Sequence, residues 1–286
     1  MASEIGRVGV VGLGTMGAGI AQVCIGAGVE TIGVEVSEEL GAQARERIGH
    51  YLGRAVEKGT IARKERDAAL ARLSLSTDRR ELRACDLVIE AIVEDLDAKR
   101  ELFRDLDALV APEAVLATNT SALSVTEIAR ATARPERVVG LHFFNPAPLL
   151  ALVEVVRTEL ASDDAYERAF AFARRLGKEP IRCRDTPGFV VNRVLVPLLN
   201  DCVRVLDEAG VTPEDLDKAM RFGANWPIGP CALIDLIGLD VHVHASDALW
   251  EALREPRMAP PPRLVRMAQA GLLGRKSRRG FFAYEA

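Results

Sequence analysis

The chain contains no apolar run approaching the roughly 20 residues that a membrane-spanning helix requires, and no block of like charge long enough to act as an interaction tail. Its formal net charge is −4, with 37 basic against 41 acidic residues. Neither nucleic acid nor an anionic membrane is therefore an expected partner, and any phosphate has to be bound locally. Cysteine is sparse: Cys24, Cys85, Cys183, Cys202 and Cys231 are scattered, odd in number and never spaced as Cys-x-x-Cys. That pattern argues against a disulfide framework and against zinc, so no metal site is expected. The opening Met1-Ala2-Ser3-Glu4-Ile5-Gly6-Arg7 lacks a charged and apolar presequence. A reduced, cytoplasmic setting is the expectation.

The composition itself is ordinary. With 286 residues, 49% apolar and 27% charged, the chain can bury a full core in one large domain or two unequal ones. Over the first 180 or so residues, short β-branched runs alternate with helical patterns, which predicts a parallel sheet with helices on both faces. Strands are expected at residues 8–11, 31–36, 87–91, 115–118 and 138–141, with further extended runs at 152–156 and 179–182. Asp95 is placed to cap a helix starting at Leu96, and Ser124 with Glu127 spells a capping box. After Asp185-Thr186-Pro187-Gly188 the texture changes: residues 189–208 form a long helical pattern, Thr212-Pro213 starts another helix, and Pro260-Pro261-Pro262 leads into a last one. The predicted fold class is an α/β Rossmann-type dinucleotide-binding domain over 1–184, followed by a smaller all-α domain over 185–286.

Two constellations carry chemistry. The first is Gly12-Leu13-Gly14-Thr15-Met16-Gly17, which follows the strand Val8-Gly9-Val10-Val11 and opens a helix, with Glu35 at the end of the next strand. Gly12 permits a tight turn, Gly14 lets the backbone approach a pyrophosphate at the helix N-terminus, and Gly17 allows close packing of helix on strand. A carboxylate at Glu35 would bond ribose hydroxyls and repel a 2′-phosphate, favouring NAD over NADP.

The second constellation is His142, in His142-Phe143-Phe144-Asn145-Pro146, with Glu154 further on among Leu152, Val153, Val155 and Val156. A carboxylate in that apolar run is costly to bury without a partner, and His142 is the candidate. A histidine so paired can take a hydroxyl proton while a hydride leaves the same carbon. His242 and His244, two apart on a predicted helix, point to different faces and are read as structural or surface residues, and His50 as exposed.

Taken together, GLGTMG at 12–17, EAIVED at 90–95, NTSALS at 119–124, HFFNPAPLLALVEVV at 142–156, GFVVNR at 188–193, PIGPCALIDLIGLD at 227–240 and GRKSRRGFF at 274–282 resemble the short-chain L-3-hydroxyacyl-CoA dehydrogenases, in particular their bacterial 3-hydroxybutyryl-CoA members. The resemblance runs from the first strand to the C-terminus, with the motifs in the family's order. It implies His142 as general base, Glu154 as its partner, and Ser121 and Asn192 as groups around the substrate hydroxyl and carbonyl. It also implies that Glu94, Lys99, Ser121, Asn145 and Lys276 contact NAD beside the glycine loop and Glu35. It further implies that Asn145 also meets the substrate, that Lys58 helps hold CoA, and that the helical domain carries a homodimer contact.

The chain departs from the family pattern at Glu35, where aspartate is usual, at Tyr51 in place of a serine, and at Ala151 in place of a lysine. These departures bear on the acyl carrier and leave the chemistry intact. The acyl group could ride on CoA or on the phosphopantetheine arm of a carrier protein. A dehydrogenase of free hydroxy acids such as L-gulonate, or a non-enzymatic NAD-binding sensor, are the other readings.

Overall fold

Continuous apolar runs dominate the first part of the chain, and they become strands covered on both faces. The computed structural model describes residues 4–285. The chain divides into two compact units, one ending at Thr186 and the other beginning at Pro187.

The first unit contains β1 (Arg7–Val11), α1 (Thr15–Gly26), β2 (Glu30–Val34), α2 (Glu38–Glu57), α3 (Arg63–Ala71), β3 (Leu73–Ser76), β4 (Leu87–Glu90), α4 (Leu96–Leu109), β5 (Val115–Thr118), α5 (Val125–Ala129), β6 (Val138–Phe143), β7 (Leu152–Arg157), α6 (Asp163–Arg175) and β8 (Glu179–Arg184). The strands form one sheet in the order β3-β2-β1-β4-β5-β6-β7-β8. The order reverses between β1 and β4, and crevices outside the carboxyl ends of strands at such a point are where α/β sheets bind ligands. Every residue of β4, β5 and β6 is buried.

Two features differ from the sequence expectation. The pairs from β3 to β6 are parallel, but β7 runs antiparallel to β6 and β8 then runs parallel to β7. The link from Phe143 to Leu152 is shorter than the dozen or more residues a parallel crossover needs, so the chain reverses. The strand β3 lies between the expected strands at 31–36 and 87–91, in a stretch where no strand is expected. Its Leu-Ser-Leu-Ser alternation spans only four residues at the sheet edge, too brief a signal to separate from the helices around it.

The caps show how local signals and distant residues combine. Asp95 accepts from the Ala98 N–H at 2.8 Å, and Ser124 Oγ from the Glu127 N–H at 3.2 Å. The Glu127 carboxylate, however, pairs with Arg100 instead of closing the box. Asp185 serves this helix start from the end of β8, accepting from Val125 N–H (3.1 Å), Thr126 N–H (2.7 Å) and the Ser124 hydroxyl (3.0 Å).

The second unit is helical: α7 (Val191–Glu208), α8 (Pro213–Lys218) continuing into a π-helical turn Ala219–Gly223, α9 (Pro230–Ile237), α10 (Leu239–Leu253) and α11 (Pro262–Gln269). Helix α7 begins two residues later than the pattern at 189–208 suggests, because Gly188 (φ 75°) and Phe189 (φ 48°) lie in the left-handed region. Its core is built on Leu199, Val203, Ile234, Leu239 and Leu264. Asp217 caps α9 through the Cys231 and Ala232 N–H groups (2.8 and 3.0 Å). Asp235 ties down the last residues by accepting from Phe281 N–H, Phe282 N–H and the Tyr284 hydroxyl. No helix among the described residues is long and apolar enough to cross a membrane.

Candidate active site

His142 and Glu154 meet because β6 and β7 are antiparallel and the two residues are direct cross-strand partners. His142 Nδ1 lies 2.7 Å from Glu154 Oε2, with the histidine 3% exposed and the glutamate fully buried. A carboxylate only accepts, so Nδ1 carries the hydrogen and Nε2 is left to face outward as an acceptor. Ser121 Oγ lies 3.1 Å from that Nε2, on an exposed turn after β5. The resulting line from buried carboxylate through imidazole to hydroxyl can move one proton at its outer end.

The turn carrying Ser121 is held from beneath by Glu94. Its Oε1 accepts from Thr120 Oγ1 (2.5 Å), the Ser121 N–H (2.8 Å) and the Ala122 N–H (3.3 Å). Burial pushes the Glu94 carboxyl up, but Lys99 and the donors on Thr120 and Ser121 outweigh it and hold the group below the usual carboxylate range. Lys99 is 1% exposed; its Nζ is committed to Glu90 Oε1 (2.5 Å) and Glu94 Oε2 (3.3 Å). Glu90 is completed by the Thr118 hydroxyl (2.7 Å) and the Ile92 N–H (2.8 Å). Removing one member of such a buried set typically costs about 3–5 kcal/mol, because the remaining charge is left uncompensated.

On the other side, Asn119 Oδ1 accepts from the Phe143 N–H at 2.9 Å and pins β6 to the end of β5. Asn145 is exposed in the loop after β6. That loop is fastened by Lys178, whose buried Nζ donates to Ala147 O (2.6 Å) and Leu150 O (2.8 Å) and whose pKa burial pushes down. Sequence reasoning missed Asn119, Asp185 and Lys178. Asn119 at least opens the NTSALS motif, whereas nothing local marks the other two.

The glycine loop takes the form its spacing suggested. Gly12 has φ 83°, and a side chain there would meet the Ala91 carbonyl at 2.8 Å; one at Gly17 would lie 1.7 Å from the Gly12 carbonyl. A side chain at Gly14 would meet nothing within 4 Å, so the loop faces open space above the first turn of α1, whose Thr15 and Met16 N–H groups have no intrahelical acceptor. A pyrophosphate fits that cradle. Glu35 bends back over it: Oε1 accepts from the Leu13 N–H at 2.6 Å and Oε2 from the Val36 N–H at 2.9 Å.

Lys58 is exposed at the end of α2. In the helical unit Asn192 is half-buried in the first turn of α7, and Lys276 is paired with Asp240 at 2.6 Å. Of the histidines outside the site, His50 and His244 are exposed and His242 is buried against Asn200.

A dinucleotide cradle at the reversal point of the sheet, with a histidine–carboxylate pair on β6 and β7 of the same sheet, is the arrangement of a nicotinamide-dependent dehydrogenase. Comparison with known proteins narrows the class. Residues 7–186 match the NAD-binding domain of 3-hydroxyacyl-CoA dehydrogenase, and residues 188–284 match the C-terminal domain of the same family. The 3-hydroxybutyryl-CoA dehydrogenase of Mycobacterium tuberculosis is 48% identical over 99% of this chain and 100% of its own. The mitochondrial hydroxyacyl-coenzyme A dehydrogenase of Rattus norvegicus is 42% identical over 98% of this chain and 92% of its own. The crystal structure of (S)-3-hydroxybutyryl-CoA dehydrogenase from Ralstonia eutropha superposes with a TM-score of 0.95 at 39% identity, covering 99% of this chain and 100% of that one. The chain belongs to the 3-hydroxyacyl-CoA dehydrogenase family, and its first domain is that family's NAD-binding domain.

Proposed function

We propose that this enzyme interconverts short 3-hydroxyacyl-CoA and 3-oxoacyl-CoA thioesters, with the four-carbon pair as preferred substrate. The observation that carries the reading is the line Ser121–His142–Glu154, with Glu154 at Nδ1 and the Ser121 hydroxyl at Nε2. NAD, when bound, supplies the hydride acceptor. In the oxidation, Nε2 of His142 accepts the proton of the C3 hydroxyl as C3 gives up its hydride; in the reduction, the imidazolium returns the proton to the forming alcohol. Glu154 keeps Nδ1–H in place and stabilises the imidazolium while it exists. Ser121 Oγ holds the substrate oxygen beside Nε2, and Glu94 holds Ser121. Lys99, closed in by Glu90 and Glu94, acts on the site through Glu94. Asn192 takes the substrate carbonyl, and Asn145 the cofactor, on their match to the family pattern.

Glu35 favours NADH over NADPH, since its carboxylate stands where a 2′-phosphate would be repelled. Lys58 and the exposed Tyr51 on α2 are the residues that would meet the acyl carrier. We also place the enzyme in the cytoplasm as a homodimer formed by the helical domain, which light scattering on the purified chain tests directly.

The decisive experiment follows the loss of NADH absorbance with acetoacetyl-CoA, beside acetoacetyl-carrier protein, free acetoacetate, NADPH as alternative donor, and L-gulonate in the reverse direction. Turnover with acetoacetyl-CoA and NADH well above every other arm is the expected result. Tight NADH binding without turnover of any CoA ester would overturn the substrate assignment.

A further inference from the structure

The glycine loop is held by more than its glycines. The Gly12 N–H donates to Val34 O at 2.9 Å, the Leu13 N–H to Glu35, and the Gly14 carbonyl accepts from the Ala18 N–H at 3.0 Å. The Leu13 carbonyl is met from α2: Arg47 Nη2 donates to Leu13 O at 2.8 Å and, at longer range, to Gly14 O at 3.4 Å. The Arg47 Nε is buried with no acceptor among the described residues. An unmet buried donor is unfavourable, and the Nη2 bonds to the Leu13 and Gly14 carbonyls offset that cost in this pose.

We infer that Arg47 is a positioning residue for NAD, acting through the loop backbone and resting on the reading of that loop as the NAD site. Glu35 and Arg47 grip the Leu13 residue from its two ends, one at N–H and the other at C=O. The Leu13 carbonyl shares a peptide group with the Gly14 N–H, and the Gly14 carbonyl shares one with the Thr15 N–H. A cationic donor on those oxygens polarises the peptide groups and strengthens the N–H groups that face a pyrophosphate. The clamp also orders the loop before the dinucleotide arrives, which lowers the ordering cost of binding. Nothing in GxGxxG calls for an arginine 30-odd residues downstream; α2 brings it back.

The same helix supplies a control. Arg45 donates to Leu73 O (3.0 Å) and Leu70 O (3.3 Å), anchoring α2 to α3 and β3 without touching the loop. The test measures NADH dissociation constants by fluorescence titration for the full-length wild type, Arg47→Met, Arg47→Lys and Arg45→Met, with amide exchange of residues 11–18 recorded without cofactor. Arg47→Met should weaken NADH binding by about 10-fold, the scale of one hydrogen bond from a charged group, and speed exchange across the loop. Arg47→Lys should fall between, because an ammonium is a point donor in place of a planar fork. Arg45→Met should bind NADH within about two-fold of wild type, since it leaves every loop hydrogen bond in place. An Arg47→Met protein that binds NADH as wild type does, or an Arg45→Met protein weakened equally, overturns the inference. If Arg47→Met does not fold, an unchanged constant for Arg47→Lys overturns it and a raised one supports it. A wild type that binds no NADH would instead defeat the NAD-site reading, while loop exchange would still report on the clamp.

Discussion

His142 and His242 are buried almost equally, 3% and 2% exposed, yet the two histidines sit in opposite kinds of surroundings. His142 faces a carboxylate at Nδ1 and an exposed hydroxyl at Nε2. His242, in the helical unit, has its Nε2 at 2.9 Å from the amide oxygen of Asn200. The Asn200 orientation follows from its own nitrogen, which lies within 3.4 Å of the Arg257, Met258 and Ala259 carbonyls and so must be the donor side. His242 therefore donates to a neutral acceptor in a dry place, and burial pushes its pKa down from 6.5 to about 4. Burial alone does not set a histidine's chemistry; the groups that stand at its two ring nitrogens do.

Substitutions can break this contrast in order of size. His142→Gln removes the only group in the line that can exchange a proton at Nε2, and kcat should fall by roughly a thousand-fold, within the usual range for acid–base groups. Glu154→Gln keeps the shape but can no longer hold the imidazolium, so a loss of about 100-fold or more is expected; normal activity would undo the assignment of the pair. Ser121→Ala leaves the pair intact and removes one neutral hydrogen bond, for a decrease of about ten-fold in kcat/KM. All three are read by steady-state kinetics with circular dichroism to confirm folding.

The converse concerns His242. Unfolded, its ring titrates near 6.5, and folded near 4. Below pH 6.5 the unfolded chain takes up a proton that the folded chain refuses, so stability from this group is complete above that pH and declines until about 4. The whole effect amounts to about 3 kcal/mol. Denaturant melts of the wild type across that window, set against His242→Gln, should differ by an amount that grows as pH falls, while the variant turns over as wild type does. Parallel pH profiles would show that His242 does not titrate on unfolding.

The dinucleotide cradle was legible in the sequence because its requirements are local: a turn at Gly12, a close approach at Gly17 and a helix start all fall within six residues. The histidine–carboxylate pair was legible for a related reason, since a glutamate within a β-branched run demands a partner. What escaped were residues whose side chains act far from their own place in the chain. Asp185 reads as a turn residue and serves a helix start 60 residues earlier; Lys178 reads as a surface lysine and closes the loop after His142; Arg47 reads as one charged residue on a helix of mixed charge. Strand β3 escaped because four residues at an edge carry little periodicity.

The amino-acid sequence by itself determined the fold class, the dinucleotide loop and the pairing of His142 with Glu154, because backbone geometry and the cost of burying charge act over a few residues. The tertiary structure alone decided the antiparallel turn that sets His142 opposite Glu154, and the Glu90–Lys99–Glu94 set beneath Ser121. It also decided which buried histidine has a charge beside it. Those outcomes depend on register and packing between segments that share no local signal, and only the folded chain brings them together.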